Sequence, residues 1–209
     1  MSGDRLLLVG AGGHARACID VIEEEGTYSI GGLVGLPEEV GGSVLGYPVI
    51  GHDADLASLL TQFPNALIVI GQIKSPDMRM RLFDAAHDLG CSLPAVVSPF
   101  AHVSRHATLG AGTIVMHGAI VNAGARVGRN CIVNSLALVE HDAVVEDHCH
   151  ISTSAAVNSG VRVASGTFVG SNASVRQSVN IGERCVIGMG ERVLADCEQG
   201  TWMPRKRQP

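Results

Sequence analysis

The second half of the chain carries an aliphatic residue at every sixth position, from Val97 to Val193, without a gap. The seventeen positions of this register are Val97, Val103, Leu109, Val115, Val121, Val127, Val133, Val139, Val145, Ile151, Val157, Val163, Val169, Val175, Ile181, Ile187 and Val193. An α-helix repeats about every 3.6 residues and a simple strand alternates about every two, so neither predicts a strict period of six. A parallel β-solenoid of hexapeptide units does, because each unit supplies one short strand and one turn with a single side chain directed to the axis.

A second column of small or β-branched residues stands two positions before most of the register residues. Residues two apart on a strand share a face, so both columns should point into the solenoid and fill it with alternating large and small groups. The clearest members are Ala101, Ala107, Thr113, Ala119, Ala125, Cys131, Ala137, Ala143, Cys149, Ala155, Thr167, Ala173 and Cys185. Three hexapeptides per coil would give between five and six coils.

Glycines that directly follow a register residue are expected to need a positive φ at the corners; they are Gly110, Gly128, Gly170, Gly182 and Gly188.

Composition limits the class of protein and its partners. The 209 residues are 46% hydrophobic and 17% charged, which predicts a folded protein of one large or two small domains. A net charge of −5 does not favour binding to nucleic acid, which requires a basic surface. The basic stretch Arg205, Lys206 and Arg207 is interpreted as a solvated tail. We expect neither a signal peptide nor a membrane span, since no apolar run has the required length or pattern. The six cysteines form no CxxC pair, so reduced thiols and a cytoplasmic location are expected.

The first half has a different pattern, in which strands alternate with helices. Strands are predicted over residues 5–9, 31–34, 47–50 and 66–70, and helices over residues 16–25, 54–62 and 76–89. This alternation predicts a small Rossmann-like α/β unit with a mainly parallel sheet. We therefore expect an α/β domain over residues 1–92 and a β-solenoid domain with a C-terminal tail over residues 93–209.

A glycine loop joins the first strand to the first helix. Gly10, Gly12 and Ala15 satisfy the pattern GxGxxA, which places a phosphate against a helix N-terminus in nucleotide-binding folds. NAD is rejected as the ligand, because the segment at the end of the second strand, residues 33–36, lacks the acid that binds the ribose. The alternative is that the glycines only tighten the turn.

The flank of the solenoid carries one cluster of titratable side chains. Glu140, His141 and Asp142 are followed by Glu146, Asp147, His148 and His150. His141 lies two places after a register residue, so it should point outward or lie at a corner, with Ser159 one coil later and about 4.8 Å away. Asn122, Glu140 and Asn158 should form the neighbouring column. An imidazole beside a carboxylate suits a general base, and a backbone N–H near Ser159 could stabilise an oxyanion when an amine attacks a thioester.

Two alternatives remain for the histidines of this cluster, and His14 has two interpretations of its own. They could be solvated corner residues, or His141, His148 and His150 could bind zinc, although no three-ligand spacing typical of catalytic zinc is evident and we predict no metal. His14, within the glycine loop, could present substrate to His141 of a neighbouring solenoid. It could equally be a turn or capping residue.

The order of a GAGGHA α/β module followed by hexapeptide coils with a Glu-His-Asp triplet resembles the left-handed β-helix sugar acetyltransferases of surface-polysaccharide biosynthesis. That family includes GDP-perosamine N-acetyltransferases, N-acetyltransferases acting on UDP-bacillosamine precursors, and NeuD-type sialic acid O-acetyltransferases. The resemblance covers about residues 4–200 and implies a left-handed β-helix, a cytoplasmic homotrimer with active sites between subunits, and a role in O-antigen or lipopolysaccharide synthesis.

The resemblance also implies roles for particular residues. His141 would be the general base and Asp142 its orienting acid. The residues implied for substrate binding are Gly12, Gly13, His14, Glu140 and His150. Acetyl-CoA would lie along the β-helix, and the residues expected to contact it are Asn158, Ser159, Gly160, Gly170 and Gly188.

One departure from the family pattern bears on the acceptor. Members that bind UDP-sugars commonly carry an aspartate-rich turn after the second strand, whereas this chain has Leu33 to Glu38 there. The resemblance therefore favours acetylation of the 4-amino group of GDP-perosamine. The alternatives are a UDP-4-amino sugar, a sialic acid hydroxyl, and a non-enzymatic solenoid scaffold that binds a nucleotide.

Overall fold

The computed structural model describes residues 4–203, so the predicted basic tail lies outside the described residues. The chain begins with a five-stranded sheet in the order β3-β4-β2-β1-β5. Its strands are β1 (Asp4–Val9), β2 (Tyr28–Gly35), β3 (Ser43–Val44), β4 (Tyr47–His52) and β5 (Asn65–Ile68). All pairs are parallel except β3 with β4, which confirms the mainly parallel sheet.

Three α-helices accompany this sheet: α1 (Gly13–Glu25), α2 (Leu56–Leu60) and α3 (Asp77–Asp88). α1 begins three residues before its predicted start, inside the glycine loop, and ends at Gly26, whose φ of 74° reverses the chain. The predicted helix over residues 54–62 is divided into a short 3-10 turn, Asp53–Asp55, and α2. A second 3-10 turn, Pro37–Glu39, follows β2. Strand β3 was not predicted, because its two residues are too few to show a period.

The remaining strands stack into a left-handed β-helix with two residues per strand. They are β6 (Val96–Val97), β7 (His102–Val103), β8 (Thr108–Leu109), β9 (Ile114–Val115), β10 (Ile120–Val121), β11 (Arg126–Val127), β12 (Ile132–Val133), β13 (Leu138–Val139), β14 (Val144–Val145), β15 (His150–Ile151), β16 (Ala156–Val157), β17 (Arg162–Val163), β18 (Phe168–Val169), β19 (Ser174–Val175), β20 (Asn180–Ile181), β21 (Val186–Ile187), β22 (Arg192–Val193) and β23 (Trp202–Met203). From β6 to β22 every third strand joins the same sheet, and β23 joins the sheet of β21, which gives three parallel faces. The first face contains β6, β9, β12, β15, β18, β21 and β23; the second contains β7, β10, β13, β16, β19 and β22; the third contains β8, β11, β14, β17 and β20.

The two predicted columns form the core of the β-helix. Register residues such as Val139 and Val157 are fully buried and pair across adjacent coils. The small column, including Cys131, Cys149 and Cys185, is also buried, so packing accounts for these three thiols. The residues of the first coil are only partly buried, because no coil covers them from below.

The expectation that glycines directly after a register residue need positive φ is wrong. None of the five, Gly110, Gly128, Gly170, Gly182 and Gly188, has a positive φ. The left-handed residue comes three positions after the register residue instead, at every corner from Gly112 to Gly190. Gly110 and Gly170 are needed for a different reason: a Cβ at Gly110 would lie 2.5 Å from the Arg129 nitrogen, and one at Gly170 would lie 2.7 Å from the Ile187 oxygen.

The α/β unit packs on the first face of the β-helix, and the two share a hydrophobic core. Outward side chains of β6, β9 and β12 enter the cluster that contains the inner side of α1; they are Val96, Ile114 and Ile132. A polar link lies beside this core: Nε2 of His117 donates to the Asp20 carboxylate of α1 at 2.8 Å, and Nδ1 lies 2.5 Å from the Ser98 hydroxyl. These contacts fix the α/β unit on the first face of the β-helix.

Candidate active site

His141 and Asp142 lie on the turn between β13 and β14, at the corner that joins the second and third faces. Nδ1 of His141 is 2.9 Å from Oδ2 of Asp142, and both side chains are exposed, by 58% and 75%. The hydrogen bond to Asp142 raises the pKa of the His141 imidazole, and the charges of Asp142 and Glu140 act in the same direction. Glu140 accepts a hydrogen bond from the His141 backbone N–H at 2.9 Å, which fixes the turn.

Asp142 occupies a strained corner position above a glycine. Its φ is 61°, in the left-handed region that an L-residue other than asparagine or aspartate rarely adopts. One coil below, Gly124 has a φ of 76°, and a Cβ there would lie 2.5 Å from Oδ1 of Asp142. The carboxylate can therefore turn toward His141 only because position 124 has no side chain.

The coil above His141 presents the predicted polar segment. The Gly160 N–H donates to the His141 carbonyl at 3.1 Å, which places residues 158–160 directly over the Glu140–Asp142 turn. The Asn158 side chain donates to the Val175 carbonyl at 2.6 Å. Within residues 4–203 the Ser159 backbone N–H makes no hydrogen bond, so it is the donor that remains available at this corner.

A cavity of about 300 Å³ opens at the carboxyl edge of the parallel sheet. Gly10, Ala11 and Gly12 line one side of it. α1 starts at this loop with Gly12 as its N-cap, no capping side chain and no acid in its first turn. Unpaired N–H groups at a helix N-terminus attract anions, so this end of α1 suits a phosphate.

Two carboxylates that were not predicted line the same cavity. Glu39, in the 3-10 turn after β2, bends back so that Oε2 accepts from the Leu36 N–H at 2.7 Å. Asp53 follows β4 and binds Arg81 at 2.9 Å. The dinucleotide-binding pattern expects an acid directly at the end of the second strand, whereas Glu39 lies four residues beyond Gly35, in a turn.

His14 lies at the junction of the α/β unit and the β-helix, next to His150 of β15. The two imidazole ring centroids are 6.3 Å apart. His150 is held from both sides, with Nδ1 at 2.6 Å from the Gln72 carbonyl and Nε2 at 3.1 Å from the Asn134 amide. Burial, together with the charge of Arg79, lowers the pKa of His14 to about 3 and of His150 to about 4, so both imidazoles are neutral at physiological pH. Nε2 of His14 is buried and has no partner within the described residues.

Arg79 connects the two parts of the chain beneath these histidines. This fully buried side chain donates to the carbonyls of Ile68 and Ile70 in the sheet, and to the carbonyl and side-chain oxygens of Asn130 in the β-helix. Burial lowers the pKa of the Arg79 guanidinium to about 10, which leaves it charged at neutral pH. It was not predicted, because helical periodicity offers no sign that an arginine in the first turn of a helix points inward.

A second cavity, of about 380 Å³, continues along the first face beyond His150. Its lining is mostly apolar and comprises Ile73, His150, Ser152, Phe168, Ser171, Val186, Gly188, Met189, Trp202 and Met203. Gly188 is therefore accessible from this groove. Gly170 is buried one coil earlier, beside Ser171.

The predicted site residues fall into two groups in one copy of the chain. His141, Asp142, Glu140 and residues 158–160 occupy the corner between the second and third faces, whereas His14 and His150 lie on the first face. His148 lies at a third location, where Nδ1 contacts the Asn130 amide at 3.0 Å. The three histidines of the zinc alternative are thus dispersed, and no group of metal-ligating side chains occurs among residues 4–203. No helix in that range is long and apolar enough to cross a membrane.

Known proteins share both halves of this architecture. The family model of the PglD N-terminal domain matches residues 5–85. A histidine-to-asparagine variant of perosamine N-acetyltransferase from Caulobacter crescentus, in complex with CoA and GDP-perosamine, is 31% identical with a TM-score of 0.87, covering 97% of this chain and 93% of that chain. The acetyltransferase domain of PglB from Neisseria gonorrhoeae FA1090, in complex with acetyl coenzyme A, is 31% identical with a TM-score of 0.87 and 96% coverage of each chain.

The chain belongs to the left-handed β-helix sugar N-acetyltransferases. This confirms the predicted family and an acyltransferase activity. WeeI from Acinetobacter baumannii AYE, 18% identical with a TM-score of 0.81 over 95% of each chain, shares the fold of this N-acetyltransferase. No curated protein sequence matches the chain significantly.

Proposed function

We propose that this N-acetyltransferase moves the acetyl group of acetyl-CoA to the 4-amino group of a nucleotide-linked dideoxy sugar, with GDP-perosamine as the best candidate. The observation that carries the proposal is the 2.9 Å contact between His141 and Asp142 on an exposed corner of the β-helix. The relative bound to CoA and GDP-perosamine supports the same pair of ligands here. The product would enter O-antigen or lipopolysaccharide synthesis.

His141 is assigned as the general base. Because Nδ1 faces the Asp142 carboxylate, the neutral ring carries its proton there and leaves the Nε2 lone pair to accept one. The sugar nitrogen bonds to the thioester carbonyl carbon as Nε2 takes its proton. The C–S bond of the tetrahedral intermediate then breaks, and the sulfur of coenzyme A leaves with the proton that the imidazolium returns. Asp142 stabilises the imidazolium, and the Ser159 N–H is the candidate donor to the oxyanion.

The nucleotide sugar is assigned to the α/β unit, residues 1–92, and the acetyl donor to the β-helix, residues 93–209. The diphosphate fits the uncapped N-terminus of α1, where the N–H groups of Gly12, Gly13 and His14 have no capping partner. The sugar would extend from there toward His14 and the neutral His150. Both ring nitrogens of His150 are already hydrogen-bonded, so His14, whose Nε2 has no partner within the described residues, is the imidazole that can accept a hydrogen bond from a sugar hydroxyl or amine.

The separation of the two groups of residues supports an assembly of several copies, for which we propose a homotrimer. His141 lies on a corner opposite to the face that carries His14 and His150, so a site that uses all three requires a second copy of the chain. Exposed apolar side chains near the second face support this assembly, because a neighbouring copy would bury them: Phe100, Ile120 and Leu136. Glu140 of one copy would then face the sugar held by the next.

Acetyl-CoA would lie in the cleft between two such copies. One wall is the corner formed by Asn158, Ser159 and Gly160, and the other is the 380 Å³ apolar groove that reaches Gly188 and lies beside Gly170. No metal is required for this route. All six cysteines, each within residues 4–203, are free thiols, which fits the cytoplasmic location that we propose.

A thiol-release assay with acetyl-CoA tests the function. The acceptor panel comprises GDP-perosamine, UDP-4-amino sugars and sialic acid, each with a no-acceptor control. Rapid release with an amino sugar and acetylation at its 4-nitrogen supports the proposal. Release only with sialic acid would instead indicate an O-acetyltransferase, and nucleotide binding with no thiol release from any acceptor would indicate a scaffold.

A further inference from the structure

The cavity at the carboxyl edge of the sheet has a mixed lining that suits a nucleoside rather than a bare phosphate. The glycine loop lies at one side, and two exposed apolar side chains lie at the other, Leu36 with 58% and Met78 with 49% of the surface accessible. A planar base can insert between such side chains, because its faces are apolar and its edge is polar. The volume of about 300 Å³ is at the lower end of the range for small-molecule sites.

Glu39 lies beside the glycine loop, at the place where a ribose would follow a phosphate bound to α1. A Cβ on Gly35 would lie 2.7 Å from the Glu39 Oε2 and 3.0 Å from the Ala11 Cβ, so the carboxylate is close to the loop. Oε2 is held by the Leu36 N–H, and within the described residues Oε1 makes no hydrogen bond. A carboxylate only accepts hydrogen bonds, so Oε1 can receive one from a ribose hydroxyl.

Asp53 lies farther along the cavity, beyond the end of β4. Arg81 donates to its Oδ2 at 2.9 Å and also contacts the Met78 sulfur at 2.9 Å, so the carboxylate and the apolar wall are held by the same guanidinium. Among residues 4–203, Asp53 Oδ1 has no hydrogen-bond partner. No lysine or arginine lines the cavity, so the polar groups here select for hydrogen-bond donors on a ligand.

The four bases differ in how many donors they offer to a carboxylate. Guanine presents N1–H and the N2 amine side by side, which matches the two oxygens of a carboxylate. Uracil presents a single N–H between two carbonyl oxygens, and these would be repelled. Adenine and cytosine each present an amine next to an acceptor nitrogen. A carboxylate at the base edge therefore favours guanine over the other three.

We propose that Asp53 is a specificity-determining residue that selects guanine in this cavity, with Glu39 holding the ribose. The inference rests on the proposed function, since it assigns the base of the nucleotide sugar, but it concerns binding and not acetyl transfer. The base lies between Leu36 and Met78 with N1–H and the N2 amine toward Asp53. The diphosphate lies on the N-terminus of α1.

The test measures binding of GDP, UDP and xanthosine diphosphate by calorimetry, with no acetyl donor present. Wild-type protein should bind GDP at least tenfold more tightly than UDP, the discrimination typical of one bidentate pair. Asp53→Asn should lose that preference and gain affinity for both UDP and xanthosine diphosphate, because each of these bases presents an N–H between two carbonyl oxygens. Xanthine has a carbonyl oxygen in place of the N2 amine, and an asparagine amide can donate to it. Glu38→Gln is the matched control, because Glu38 does not line this cavity, and it should behave as wild type.

Equal affinity of the wild type for GDP and UDP would overturn the inference, as would an unchanged GDP preference in Asp53→Asn. The two proposals fail separately. A protein that prefers GDP through Asp53 but transfers no acetyl group contradicts only the proposed function. One that acetylates an amino sugar but prefers UDP contradicts the role of Asp53 and the choice of GDP as the nucleotide, and leaves the transfer of acetyl to an amino sugar standing.

Discussion

His141 and Asp142 are consecutive residues, yet their side chains meet at 2.9 Å, because the left-handed backbone of Asp142 turns its carboxylate back toward the preceding ring. In an extended strand, neighbouring side chains point to opposite faces. The corner of the β-helix thus brings together a base and an acid that a flat sheet would separate.

The first prediction concerns the pH dependence of turnover. Asp142 raises the pKa of His141, and a general base acts only when neutral, so activity should rise with pH through that raised value. In Asp142→Asn the His141 pKa should fall toward its ordinary value, and the acidic limb of the kcat/KM profile should move to lower pH as maximal kcat decreases. Profiles of both proteins with one acceptor test this. A limb that stays in place would show that Asp142 does not act on His141.

The second prediction uses Gly124, which allows the Asp142 carboxylate its position. Gly124→Ala adds a Cβ that would lie 2.5 Å from Asp142 Oδ1, so the carboxylate must move and its bond to His141 should weaken. We expect the same shift of the pH profile as in Asp142→Asn. Gly118→Ala is the matched control, since Gly118 has a similar φ of 69° but faces Leu136 on another corner.

Both glycine variants place alanine in the left-handed region and should lose a similar free energy of unfolding, about 1 kcal/mol. Comparing the two variants therefore separates the effect of backbone strain from the effect of moving the Asp142 carboxylate. An identical pH profile for Gly124→Ala and Gly118→Ala would contradict the positioning role of Gly124.

The third prediction tests the register of the coils. Val127 is buried in the axis while its neighbour Arg126 is exposed on the same strand. Val127→Asp would bury an unpaired charge and should prevent folding, with a cost of several kcal/mol. Arg126→Asp should fold with little loss. Circular dichroism and size-exclusion chromatography compare the two, and a folded, active Val127→Asp would refute the register. The same outcome is expected for Val139→Asp and Val157→Asp.

The fourth prediction concerns stability in acid. In the unfolded chain, an imidazole gains a proton below its ordinary pKa of 6.5. In the folded protein, the lowered pKa values of about 3 for His14 and about 4 for His150 keep both rings neutral at that pH. The unfolded chain therefore binds more protons in this window, and the free energy of unfolding should fall as the pH is lowered from about 6.5 to 4. Urea unfolding at several pH values measures the slope.

The matched comparison for this slope uses two variants, one with two histidine-to-glutamine changes and one with a single change. His14→Gln combined with His150→Gln should flatten the dependence, while His87→Gln, at an exposed position, should leave it unchanged. An equally steep slope in the double variant would show that other groups cause the loss of stability in acid.

Different parts of the molecule were predictable to different degrees. The three faces follow from the spacing of residues such as Val139 and Val157, because a period of six has one simple structural solution. The His141 and Asp142 corner could be predicted because charged side chains cluster there, on an outer surface that otherwise carries mostly small and polar residues. The role predicted for the glycines after the register residues was wrong. The sequence alone does not distinguish a glycine that needs a positive φ from one, such as Gly110, whose Cβ would collide with the backbone of the next coil.

The unpredicted features depend on contacts between distant segments. Arg79 binds Asn130, 51 residues away, and His117 binds Asp20, 97 residues away, and no local pattern marks such pairs. Glu39 and Asp53 lie in short 3-10 turns that periodicity does not detect. Such polar groups become visible only when the sheet and its turns assemble around a cavity.

The most direct measurement of the central claim is the turnover of His141→Asn with acetyl-CoA and GDP-perosamine, alongside its affinity for each ligand. As the general base is lost while the fold and both binding regions are retained, kcat should fall by roughly 10² to 10⁴ with ligand affinities near those of the wild type. Near-normal kcat in a variant that binds both ligands would contradict the assignment of His141 as the base.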